Sequence, residues 1–290
     1  MILKSIKYQS AQIFYRTTGK GLPVLLLHGF GEDGEIWNEQ VEKLKKHFRV
    51  IVPDLPGSGI SEPIRDMSIE GMAEIVKALS DVELNEGTNG TENWQGIFGH
   101  SMGGYITLAL AEKYPGLLSS FGLIHSTAFA DSDEKKANRL KSINFIRNNG
   151  AWKFLKTSIP GLFHRSGHNL SGHSSESDKN NALTKWPDRL IEKGKNFTDK
   201  TLISYYLAMF NRPDRTAVVK NFDGPVLFIF GVNDIAVSFL ESLQQSYLAS
   251  ESHIHILRNS AHMGMLEEPD KVSEILIDFL NKNSFHPVSS

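Results

Sequence analysis

Ser101 lies in Gly99-His100-Ser101-Met102-Gly103-Gly104, a G-x-S-x-G pattern between an apolar run at 94–98 and a helical stretch at 105–114. A serine hydroxyl is a weak nucleophile at neutral pH. It needs a base to take its proton, and the base needs a third group to hold its tautomer. The five-residue pattern alone is weak, but its setting strengthens it. Glycines at 99 and 103 leave room for a sharp strand-to-helix turn. A helix starting behind the serine aims free N–H groups and partial positive charge at it. The plain alternative is a glycine-rich turn with an exposed serine.

Two later residues can supply the partners. Asp234, in Gly231-Val232-Asn233-Asp234, follows the apolar run 226–230, and His262, in Ala261-His262-Met263, follows the run 253–257. In a parallel sheet the carboxyl ends of the strands share one side, so both residues are expected beside Ser101. Among rival carboxylates, Asp54 follows an earlier strand but breaks the order Ser101, Asp234, His262, and Asp223 precedes its strand. His253 and His255 alternate with Ile254 and Ile256, which reads as one face of a strand.

A tetrahedral intermediate also needs N–H donors for its oxyanion, each worth ~10²–10³ in rate. The N–H of Met102 is expected to be one. The other is expected from the turn His28-Gly29-Phe30-Gly31, with Phe30 as the donor. His28 reads as a brace for that turn and Gly29 as a point of close backbone approach. With His125, Ser126 and Met263 they are the candidates for the pocket wall.

The elements that must hold these residues follow from hydrophobic periodicity. Residues 2–8 and 11–16 alternate as a hairpin, and 24–27 is a continuous apolar run, as in a strand buried on both faces. Strand and helix patterns then alternate to Ile124, which predicts a mostly parallel sheet with helices on both faces. From 126 to 220 strand signals stop, and helical patterns at 133–148 and 202–211 flank a polar stretch. We read a core domain at 1–125 and 221–284, an inserted helical cap at 126–220 and a tail at 285–290. Within the cap Trp152, Phe154 and Phe163 are either substrate-facing or, the preferred reading, cap core. His164, His168 and His173 lack interleaved carboxylates and are not read as metal ligands.

Bulk properties exclude several classes. The 290 residues carry a net charge of −2, with no cysteine, 40% hydrophobic and 22% charged residues. Nothing there suits a nucleic-acid or membrane-surface partner. Thiolate chemistry and disulfides are excluded. Lysines break the amino terminus before an apolar signal segment forms, and no run approaches a bilayer span. A cytoplasmic enzyme acting on a small molecule, without metal or cofactor, is the expectation; oligomeric state stays open.

Together, Leu27-His28-Gly29-Phe30-Gly31, Asp54-Leu55-Pro56-Gly57-Ser58-Gly59-Ile60-Ser61, the Ser101 motif, Gly231-Val232-Asn233-Asp234 and Ala261-His262 resemble the α/β-hydrolase superfamily, in its small esterase, lactonase and C–C hydrolase branch. The resemblance spans nearly the whole chain outside the cap. It implies an eight-stranded, mostly parallel α/β-hydrolase fold. It also implies nucleophile Ser101, acid Asp234, base His262 and oxyanion donors at Phe30 and Met102. The implied activity is cleavage of a small or medium carboxylic ester, thioester or lactone. C–C cleavage or a lyase reaction by the same triad, and a non-catalytic ligand receptor, are the alternatives.

Overall fold

The computed structural model describes residues 1–87, 93–164 and 182–283. Eight strands form one sheet: β1 (Ile2–Tyr8), β2 (Ala11–Thr18), β3 (Pro23–Leu27), β4 (Arg49–Pro53), β5 (Gly96–His100), β6 (Phe121–Ile124), β7 (Val226–Gly231) and β8 (Ser252–Leu257). Their spatial order is β1-β2-β4-β3-β5-β6-β7-β8. β2 runs antiparallel to β1 and β4, and every pairing from β4 to β8 is parallel. The expected mostly parallel eight-stranded sheet is what forms.

Every residue of β3, β5, β6 and β7 is buried, so helices must cover both faces of the sheet centre. The helices of this layer are α1 (Asn38–Leu44), α2 (Ile69–Gly87) and α3 (Met102–Lys113). Between β6 and β7 come α4 (Asp133–Asn149), α5 (Ala151–Ser158), α6 (Ala182–Lys193), α7 (Asp199–Asn211) and α8 (Thr216–Asn221). After β7 come α9 (Phe239–Ser246), α10 (Gly264–Glu267) and α11 (Pro269–Lys282). α1 packs on α11 and α2 on α3. The described residues between β6 and β7 contain helices and no strand. Ser132 caps α4, its hydroxyl accepting from the Lys135 N–H at 3.2 Å, and α4 packs on α5 and α7.

Two local expectations shift. The helical spacing of Ile36, Val41, Leu44 and Phe48, which predicts one helix, is met by a 3₁₀ turn, Gly34–Trp37, followed by the shorter α1. The helix expected from Tyr105 begins at Met102, directly after Ser101. His168, His173 and the tail at 285–290 lie outside the described residues. Among the described residues no helix is long and apolar enough to cross a membrane.

The topology decides where chemistry can sit. From β3 the chain goes to β4 on one side and returns to β5 on the other. That reversal opens a crevice beyond the carboxyl ends of β3 and β5, which are followed by the Phe30 turn and by Ser101. The ends of β6, β7 and β8 continue the same edge and carry His125, Asp234 and His262.

Candidate active site

Ser101 occupies a backbone conformation that L-residues avoid, with φ 51° and ψ −114°. Glycines make that turn possible. A Cβ on Gly99 would lie 2.3 Å from the Gly103 backbone, and one on Gly103 would lie 2.6 Å from the Leu27 carbonyl oxygen. The turn is also fastened: the Ser101 N–H donates to the Ile124 carbonyl at 3.0 Å, and the Ser126 hydroxyl donates to the Ser101 carbonyl at 2.7 Å. Met102 is the first residue of α3, where a backbone N–H has no intrahelical acceptor.

Asp234 and His262 meet directly, with His262 Nδ1–H donating to Asp234 Oδ2 at 2.8 Å. The N–H groups of Ala236 and Val237 donate to Oδ1 at 2.8 and 3.0 Å. A second histidine joins them: His125 Nδ1–H donates to the same Oδ2 at 3.1 Å. The Gly264 N–H donates to His125 Nε2 at 3.2 Å, so that nitrogen carries no proton and the ring is neutral. Burial pushes His125 down to about 4, which agrees with that geometry. Burial alone would raise the Asp234 carboxyl, but His262 and the N–H of His125 more than offset this and hold it well below the usual range. Burial alone would lower His262, and the Asp234 carboxylate reverses this and raises it above the ordinary imidazole value. Among the described residues these three also form a group close enough to share a cation. Both histidines, however, point an N–H at Asp234 rather than a free lone pair.

His28 bonds within and beyond the turn after β3. Its Nε2 accepts from the Leu55 N–H at 2.9 Å and its Nδ1 faces the Gly29 carbonyl at 2.9 Å. Glu32 was not singled out in the sequence, yet its carboxylate is 5% exposed beside this turn. Its Oε2 accepts from the Gly29 N–H at 2.6 Å and faces His100 Nδ1 at 3.0 Å. The other nitrogen, His100 Nε2, donates to the His262 carbonyl at 2.9 Å. The Glu32–His100 contact, with the bond to the His262 carbonyl, ties the nucleophile turn to the His262 loop. The rival Asp54 is committed elsewhere: it accepts from Arg16 at 3.0 and 3.2 Å and from the Gly34 N–H at 3.0 Å. Asp223 is exposed and precedes β7.

A cavity of about 250 Å³ opens on this edge. Phe30, Glu32, Ser101, Tyr105 and His262 line it from the sheet side, with Ala236 and Val237 from the loop after β7. The helical segment contributes Lys135, Asn138, Arg139 and Ser142 of α4, Leu162, and Tyr206 and Met209 of α7. Ser101 and His262 thus share one wall, with Asp234 buried behind His262. The pocket expectations need correction. His28, Gly29, His125, Ser126 and Met263 are not among the lining residues. His28, His125 and Ser126 are turned to bracing bonds, Gly29 gives its N–H to Glu32, and Met263 is fully buried. Phe154 packs against Phe30 and Tyr206 as core, and Trp152 is partly exposed under Lys156 and Lys195.

A family model described as alpha/beta hydrolase fold matches residues 23–269. RutD of Pantoea ananatis, provisionally named a carbamate hydrolase, is 25% identical over 274 residues, covering 91% of this chain and 90% of that protein. A malate-bound thermophilic esterase from Thermogutta terrifontis superposes with a TM-score of 0.84 at 27% identity, covering 98% of this chain and 100% of its own. The enol-lactonase of Burkholderia xenovorans LB400 superposes with a TM-score of 0.78 at 22% identity, covering 96% and 100%. With the family model matched over most of its length, the chain belongs to the α/β-hydrolase family.

Proposed function

We propose that this protein is a serine hydrolase that cleaves a small or medium carboxylic ester, thioester or lactone through an acyl-enzyme on Ser101. The observation that carries the reading is the 2.8 Å bond between Asp234 and His262, with His262 on the cavity wall that also holds the strained Ser101. In this reading His262 donates its Nδ1–H to Asp234, and its Nε2 acts as the base.

In the proposed reaction His262 takes the Ser101 proton as Oγ attacks the carbonyl carbon. The N–H groups of Phe30 and Met102 receive the developing oxyanion. His262 returns the proton to the leaving alcohol, thiol or ring oxygen. Water then repeats the sequence on the acyl-enzyme, releasing the acid and restoring Ser101. A volume of about 250 Å³ is roughly eight waters' share of liquid, which suits a short acyl group and a short leaving group. The helical insertion at 126–220 acts in this reading as the cap, closing the cavity over Ser101.

The test is a panel of esters, thioesters, lactones and β-diketones on purified wild type and Ser101→Ala. An activated ester should lose at least ~10³-fold in turnover in the variant. Wild-type turnover by Ser101→Ala would sink the assignment. Cleavage of the diketones but not the esters would move the triad to C–C chemistry. Fast labelling of Ser101 by a fluorophosphonate without turnover of any substrate class would favour a receptor.

A further inference from the structure

Lys135, Asn138, Arg139 and Ser142 recur at i, i+3, i+4 and i+7 on α4, the spacing of one helical face, and all four line the cavity that holds Ser101. Asn138 is exposed and Lys135, Arg139 and Ser142 are half-buried, so the stripe forms a polar side of the open cavity above Ser101.

The charged side chains on the cavity wall differ in how they are partnered. Lys135 is matched by Glu241 at 2.5 Å. Glu32 faces His100 Nδ1 at 3.0 Å. Arg139 shares its partner: the fully buried carboxylate of Asp131 is bonded by Arg139 through Nε and Nη2, and also by Arg212 Nη1 at 2.8 Å. Two guanidinium groups thus face one carboxylate. Arg212 is otherwise satisfied, donating to the carbonyls of Met209 and Phe129 at 2.8 and 3.0 Å and lying 3.9 Å from the centre of the Tyr105 ring. It does not line the cavity. Arg139 does, and its Nη1 meets the Met209 thioether sulfur at 3.3 Å, a weak acceptor for a charged donor. Arg139 therefore shares its carboxylate partner with a second guanidinium and turns a donor edge to sulfur. Ser142 and Tyr206 stand beside it on the same wall.

We propose that Arg139 is a specificity residue that receives a carboxylate carried by the substrate in the same cavity as Ser101. The substrates are then short esters or lactones bearing a carboxylate, such as half-esters of small dicarboxylic acids. This rests on Ser101 being the nucleophile. A carboxylate here exchanges the sulfur contact for charge-assisted hydrogen bonds to the guanidinium. A neutral group of the same shape accepts only weaker bonds.

The experiment compares kcat/KM for acid and primary-amide versions of the same ester. One arm carries the group on the acyl side, as monomethyl glutarate against its amide. The other carries it on the alcohol side, as the acetate ester of 3-hydroxypropanoate against its amide. In the wild type, at least one arm should favour the acid by about 10- to 100-fold. In Arg139→Met that ratio should collapse to about 1. The arm with the preference identifies which side of the scissile bond lies at α4. Glutarate at about 10 mM should also slow fluorophosphonate labelling of wild-type Ser101, which needs no variant to fold. Equal rates for acid and amide in both arms, with Ser101 labelled and the amides turned over, would overturn this inference and leave the hydrolase reading standing. So would an acid preference that survives Arg139→Met. Absence of both labelling and turnover would overturn the hydrolase reading and this inference with it.

Discussion

His125 offers a sharp probe, because it gives a second N–H to the oxygen of Asp234 that also binds His262. Removing it in His125→Ala leaves Asp234 Oδ2 to His262 alone. A hydrogen bond to a charged group is worth about 1.5–3 kcal/mol. If roughly half of that returns as attraction for the His262 imidazolium, at about 1.36 kcal/mol per pKa unit, His262 rises by about 0.5–1 unit. The base must be neutral to act, so the acid limb of kcat/KM should move to higher pH by that amount. The same change orphans the Gly264 N–H, lowering stability by about 1–3 kcal/mol. His125→Asn separates the two effects. Its backbone φ of 48° is tolerated best by asparagine among side-chain-bearing residues, and the Asn amide nitrogen replaces Nδ1 as donor to Asp234. That variant should lose stability yet keep the wild-type limb. Both limbs are read from kcat/KM against pH with an activated ester, and stability from urea titration. A folded His125→Ala whose limb stays within about 0.2 unit of wild type would refute the shared-carboxylate argument.

Three other outcomes follow from the same geometry. In the wild type the acid limb should inflect above the ordinary histidine value of about 6.5, because Asp234 raises His262; an inflection below 6 in the pH–rate profile would contradict this. Gly103→Ala places a Cβ 2.6 Å from the Leu27 carbonyl oxygen and 2.7 Å from that of His28, so urea titration should show a loss of about 3 kcal/mol, and an unchanged midpoint would refute the tight elbow. Glu32→Ala leaves the Gly29 N–H and His100 Nδ1 without their buried partner and should cost about 3 kcal/mol, while Glu32→Gln, which keeps an acceptor for the Gly29 N–H, should cost less; equal melts for the two would argue against these bonds.

The residues that a topology rule can place were legible before any coordinates. Ser101, Asp234 and His262 each follow an apolar run, and strand ends of a parallel sheet share one edge. What eluded the sequence was the direction of side chains. His125 lies at the correct strand end, but its left-handed backbone turns the ring to Asp234 and Gly264 instead of the cavity. The start of α3 was read three residues late because Gly103-Gly104 disfavours a helix locally; close approach to the β3 end overrides that preference. The α4 stripe was invisible for a related reason, since polar residues at helical spacing read as a solvated face unless another surface encloses them. Even β8 inverts the simple pattern: His253 packs edge-on to Phe279 at 5.0 Å, while Ile254 and Ile256 are the more exposed pair.

The central claim is that Ser101 becomes acylated during turnover. Its most direct test is peptide mass mapping of enzyme quenched while hydrolysing an activated acetate ester. The account predicts an acetyl group on the peptide containing Ser101, accumulating in His262→Ala if deacylation is slowed more than acylation, and absent from Ser101→Ala. An acetyl group mapped to another residue that is lost and regained at the rate of turnover would contradict it.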